Sequence, residues 1–242
     1  IYTYSGSDPV SMVSPASILI NIPANTNFFN GFSNNGQLDD STLGNHGINI
    51  ITEKAVTINN FYTGDNFGDG IHITGPDLYD STLGYYVLRR SGPVSIVTTI
   101  PELRSNADRN DIGIEVYSAG TVTLGGIDTY DNAYHGMDIN TLGGIVGRDL
   151  RDSHNNQSNS LAFYNDEAVG FMPVTLTNIE VYETQADWGG ALLVHSKGAI
   201  TINGLNLDNN NSMGVALANG MSGKGNITVS NANVNNSYNG DG

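Results

Sequence analysis

Two carboxylates, Glu115 and Asp138, hold the same place in two similar runs, Gly113-Ile114-Glu115-Val116 and Gly136-Met137-Asp138-Ile139. His72 holds that place in a third, Gly70-Ile71-His72-Ile73. If such runs are neighbouring parallel strands, residues at equal places stand roughly 5 Å apart at the backbone. Carboxylates at that separation can act as acid and nucleophile on a glycosidic bond, with His72 assisting, or share a Ca²⁺ ion. A polar ladder on a solvated sheet face would carry the same residues without any chemistry. The file continues through Asn49 at one end and Ala162, Leu193 and Ala216 at the other. That apolar continuation reads more as a contact surface than as a substrate groove.

The elements that would position these residues follow from an internal repeat. Gly47-Ile48-Asn49-Ile50, Ser160-Leu161-Ala162-Phe163, Ala191-Leu192-Leu193-Val194 and Gly214-Val215-Ala216-Leu217 share the form of the three runs above. Where nothing is inserted, the openings recur at about 23 residues, as from Gly47 to Gly70, Gly113 to Gly136 and Ala191 to Gly214. A second alternating run follows each opening, at Val56, Val94, Val122, Ile145, Val174, Ile200 and Ile227. A third is marked by Phe61, Ile127, Leu150, Ile179, Leu205 and Ala232. Period-two alternation bounded by Gly, Asn and Asp predicts strands. None of these units can bury its own apolar face, so each needs a copy above and below. Three short strands per coil at this period predict an all-β chain wound as a three-sheet parallel β-solenoid. Right-handed winding is expected from the crossover rule.

Asn66, Asn132, Asn155 and Asn210 each stand ten residues after the start of a second run, where stacked amides can bond along the axis and satisfy buried backbone groups. With these coils and this Asn ladder, the stretch from 47 to 242 resembles right-handed parallel β-helix proteins of the pectin-lyase-like superfamily. In character it is closest to bacterial or archaeal surface β-helix repeat proteins. The resemblance implies triangular coils around an aliphatic shaft. It implies no single activity, because that fold hosts lyases, hydrolases, phage tailspikes and adhesins.

Residues 1–46 read as one irregular coil or cap, with strands expected at Val10–Val13 and Ile18–Ile22 and Phe28, Phe29 and Phe32 over the end of the column. Residues 47–242 form the solenoid, and the coil from 70 to 112 carries two insertions, one spanning 74–93 and the other spanning 98–111. Tyr79, Tyr85, Tyr86, Arg89 and Arg90 make the first a candidate binding surface, able to stack on sugars or on a protein partner. The last residues, Asn239-Gly240-Asp241-Gly242, match Phe67-Gly68-Asp69-Gly70, a turn that opens a coil. An end of that kind exposes strand edges, so the expectation is a segment of a longer chain, or self-association or neighbouring subunits stacked on the solenoid ends.

Other motifs carry structural readings. The outward places of the second strands, Thr57, Ser95, Thr123, Val146, Thr175, Thr201 and Thr228, suit a solvated strand. Regular Thr arrays occur on ice-binding solenoids, but the uneven coil lengths here spoil the flat lattice. Arg151 is expected between Asp128 and Glu180, an opposite-charge ladder rather than a lyase arginine. His46 and His135 precede coil-opening glycines as in polygalacturonases, but the Gly-His-Gly, Asn-Thr-Asp and Arg-Ile-Lys motifs of that family are missing, as is the Asp-Pro-His-Asp motif of alginate epimerases. Residues 63–70 look like a calcium loop yet lack its ligand register.

Nine Lys and Arg against 24 Asp and Glu give a net charge of −15, which disfavours nucleic acid. No apolar run approaches the length of a membrane-spanning helix. Cysteine is absent, which removes disulfides and thiolate metal sites. Sequons at Asn156, Asn210, Asn226 and Asn235 are compatible with secretion. Together these observations predict a structural or adhesive β-helix at the cell surface or outside the cell. The alternatives are a polysaccharide-active lyase or glycoside hydrolase and a non-catalytic carbohydrate-binding module, with no cofactor required.

Overall fold

The structure is a computed structural model and describes residues 10–13, 16–21, 32–33, 46–64, 66, 68–76, 78–80, 85–87, 89–99, 104–154, 158–183, 190–210, 213–220 and 225–235. These residues are all-β, with no helix among them.

One sheet collects the opening strand of every coil. Its members, in spatial order, are β1 (Val10–Val13), β4 (Ile48–Ile51), β7 (Ile71–Thr74), β12 (Ile114–Ser118), β14 (Met137–Thr141), β16 (Leu161–Asn165), β18 (Gly190–Ser196) and β20 (Met213–Asn219). A second sheet runs through β2 (Ile18–Asn21), β5 (Val56–Asn59), β10 (Val94–Val97), β13 (Val122–Tyr130), β15 (Ile145–Ser153), β17 (Val174–Tyr182), β19 (Ile200–Asp208) and β21 (Ile227–Asn235). Short strands β3 (Phe32–Ser33), β6 (Tyr62–Gly64) and β11 (Ser105–Asp108) extend its lower coils. All these pairings are parallel. The exception among the described residues is an antiparallel hairpin of β8 (Leu78–Asp80) and β9 (Tyr85–Val87), which stands off the column.

Register follows from the alternation in sequence. Ile48, Ile71, Ile114, Met137, Leu161 and Leu192 pair in succession, and all are fully buried. A shift by one residue would turn this file outward, at about 1.5–3 kcal/mol for each large side chain exposed. The aliphatic shaft expected from the repeat is therefore present. The first segment supplies a rung as well: β1 pairs with β4 and β2 with β5. Phe28 and Phe29 lie outside the described residues, as do 236–242.

Three short strands per coil become two in the upper coils. From β13 onward the second and third runs join into one nine-residue strand. The corner within it is a left-handed residue, stacked from rung to rung as Gly126, Asp149, Asn178, Gly204 and Asn231. Asn60 has the same conformation between β5 and β6. A second left-handed stack, Arg109, Asp131, His154, Glu183 and Asn209, closes the third run. There the amide of each of the first four residues bonds the carbonyl that ends the strand above. Gly, Asn and Asp tolerate this region best, which explains why the corners are rich in them.

The segment 98–111, expected as pure insertion, contains a strand of the column. β11 pairs with β6 below and β13 above. Its inward residues are Ser105 and Ala107, both fully buried, so no aliphatic alternation marks it. Ser105 fits because its Oγ bonds Thr98 Oγ1 at 2.7 Å and accepts the Phe61 amide at 3.0 Å.

Candidate functional site

The outer face of the opening-strand sheet holds the candidate residues. Asn49, His72, Glu115, Asp138, Ala162, Leu193 and Ala216 stand in unbroken register along it. A parallel file two residues on holds Tyr117, Asn140, Tyr164 and His195. Inward residues flank each of these in the strands, so the side chains share one face. The face is less wet than a free sheet surface: Asn49 and Ala162 are buried, and His72, Glu115 and Asp138 are partly covered.

A third line of residues enters from the turns. His46 and Asp69 each precede a coil-opening glycine on adjacent rungs. Asp69 Oδ2 lies 3.1 Å from His46 Nδ1 and 3.2 Å from His72 Nδ1. The two imidazoles stack with centroids 4.7 Å apart and planes 16° apart. Glu115 Oε2 lies 2.6 Å from the same His72 nitrogen, while its Oε1 accepts from the Tyr117 hydroxyl at 3.2 Å.

This arrangement separates the protonation behaviour of neighbouring groups. Burial works against a charged His72, but bonds and charge from Asp69 and Glu115 outweigh it and raise its pKa to about 9. Burial likewise opposes ionisation of Asp69, and the two histidines overcome it and hold the carboxyl at about 2. Asp138 has no bonded cation of this kind. Burial pushes it up to about 6; the nearby His135 works against this, and the charges of Glu115 and Asp69 add to the rise. Asp111 is raised by burial and by the same two carboxylates. Tyr117 is driven well above the usual phenol range, first by burial and then by Glu115 and Asp138.

The insertion is tied to this face by its arginines. Arg90 donates from Nη1 to Asn140 Oδ1 and from Nη2 to Glu167 Oε2, each at 2.6 Å. Arg89 bonds Glu53. Both guanidinium groups thus anchor the base of the hairpin. In the hairpin Tyr79 pairs with Tyr86, and Tyr85 with Asp80.

The amide ladder is built differently from the expectation. Asn66 donates to Asn110 Oδ1 at 2.6 Å, Asn110 to Asn132 Oδ1 at 3.1 Å, and Asn132 to the Ala107 carbonyl at 3.0 Å. Asn110 was not anticipated, because the inserted residues of its coil break the ten-residue spacing. Asn210 reaches the Val181 carbonyl at 3.4 Å, and Asn155 lies outside the described residues. On the third run, Arg151 bonds Glu180 at 2.9 Å and approaches Asp128 at 4.0 Å. Arg104 also bonds Asp128, at 2.8 Å.

His46 and Asp69 carried a signal in the sequence, since both occupy the place before a coil-opening glycine. Their meeting with His72 depends on adjacent coils stacking. Comparison of the chain with protein-family models, with curated proteins and with solved structures finds no match. Architecture therefore defines its class, a parallel β-solenoid.

Proposed function

We propose that the chain is a secreted or cell-surface β-helical segment with a structural or adhesive role, built on the plan of pectin-lyase-like proteins and akin in character to bacterial or archaeal surface β-helix repeats. One observation carries this reading, the turn between β16 and β17. There Val169 is 94 % exposed, Phe171 52 % and Met172 41 %. The turn is held in place from beneath. Asn165 Nδ2 donates to the Met172 carbonyl at 2.8 Å, Lys197 Nζ to the Ala168 carbonyl at 2.8 Å, and the Ala168 amide bonds the Asn165 carbonyl at 3.2 Å. An apolar tip on a fixed base is a contact element, because its ordering entropy is spent before a partner arrives. Its occupant in this reading is a neighbouring β-helical subunit.

Sedimentation across a concentration series tests the proposal. The parent chain associates as concentration rises, and the double variant Val169→Asp, Phe171→Asp stays monomeric with an unchanged β-type circular dichroism spectrum. A parent that stays monomeric, or a variant that associates equally, overturns it.

A second reading, a polysaccharide-active hydrolase or lyase, rests on Glu115 and Asp138. They occupy adjacent rungs in register, one bonded to His72 and Tyr117 and the other raised to about 6. A raised carboxyl in register with a second carboxylate suits a general acid beside a nucleophile or base. On a panel of neutral and acidic polysaccharides, this reading expects turnover that Glu115→Gln lowers about a hundredfold or more. No turnover on the panel, or turnover indifferent to Glu115, removes it.

A further inference from the structure

The geometry points to a transition-metal site formed by His46, Asp69 and His72, with Glu115 beside it as a charge partner of His72. It goes beyond both readings above, since neither the contact turn nor the carboxylate pair requires a metal. One ligand atom from each of His46, Asp69 and His72 falls within 4.8 Å of the others. A four-coordinate ion with bonds of about 2.0–2.1 Å sets its ligand atoms about 3.3 Å apart. The two histidine-to-Asp69 separations, 3.1 and 3.2 Å, already have that length. The separation that must shrink is between the two imidazoles. Their planes are nearly parallel, so one ring has to turn for both nitrogens to address a single ion. His46 is the one placed to do so, because it precedes β4, whereas His72 sits inside β7; the turn releases the Asp69 amide that His46 Nδ1 accepts at 2.9 Å.

A second observation points to the same place. Asn49 belongs to the His46 rung and pairs in register with His72. It is only 6 % exposed, and its Oδ1 has no hydrogen-bond partner. A buried carbonyl oxygen without a donor carries a desolvation cost, which a metal-bound water or the ion itself would remove. Two imidazole nitrogens with carboxylate oxygens select zinc, cobalt or nickel over calcium, which prefers an all-oxygen shell. Asp69 and Glu115 supply the compensating charge, and strands on both sides hold the donors.

Cobalt(II) titration of the metal-free protein tests the site, because the ion reports its own coordination in the visible spectrum. The expected result is one ion per chain, with the intense absorption of a four- or five-coordinate nitrogen-oxygen site and a raised melting temperature. His46→Gln and His72→Gln each weaken that binding at least about tenfold, and His195→Gln on the same sheet leaves it unchanged. Circular dichroism confirms that each variant is folded. His46→Gln is the decisive variant, since its side chain lies outside any strand. Absence of stoichiometric binding, a spectrum of a hexaaqua-like ion only, or binding that survives both His46→Gln and His72→Gln overturns the inference.

Discussion

At the scale of single residues, the outer face pairs charges unequally. His72 is held between two carboxylates, while Asp138 is partly buried, with Glu115 and Asp69 on one side of the balance and His135 on the other. A carboxyl with a folded pKa of about 6 against an ordinary 3.8 favours the protonated folded state. That preference costs nothing below pH 3.8, grows between 3.8 and 6, and is a full penalty above 6. Asp138→Asn, which mimics the protonated group, should therefore stabilise the metal-free chain at pH 7.5 by about 1–3 kcal/mol. At pH 3.5 it should have no effect. Urea unfolding at the two pH values checks this, and an equal change at both would show that the effect is packing rather than charge.

At the scale of elements, the coil-opening glycines and the amide ladder are one device. A Cβ on Gly47 would lie 2.8 Å from Asn66 Nδ2, on Gly70 2.8 Å from Asn110 Nδ2, and on Gly113 2.9 Å from Asn132 Nδ2. Each would also crowd the carbonyl of the glycine on the next rung. The glycine thus makes room for the amide that bonds its coil to the neighbour. Gly113→Ala should cost about 1–3 kcal/mol in urea unfolding, as overpacking does. Gly220→Ala, where nothing lies within 4 Å of the new atom, should stay within about 0.5 kcal/mol. Equal effects at the two sites would break the link between the glycines and the ladder.

At the scale of the whole molecule, stability comes from neighbours in sequence order, since each coil packs on the coil before and after it. The interior is a shaft of Ile, Leu and Val with Phe61 and Phe163, whereas the described part of β21 is exposed along its length. A column of this kind is stiff along its axis and leaves its corners free to carry loops. That is where the 169–172 tip and the Arg90-anchored hairpin stand, and the association experiment with the Val169 and Phe171 variants belongs to this scale.

The sequence by itself determined the repeat, the inward files and the register of the outward ladder, because a residue's facing in a strand depends only on alternate places along the chain. Ile48, Ile71, Ile114 and Met137 could be aligned from their spacing alone. Strand β11 was not legible, because Ser105 and Ala107 lack the aliphatic mark, and Asn110 was hidden with it. Only the tertiary structure decided that His46, Asp69, His72 and Glu115 meet. Their contacts run between coils, so they depend on how one turn of the chain settles on the next. Which carboxyl keeps its proton is likewise set by burial and by charges from other rungs, neither of which a linear pattern contains.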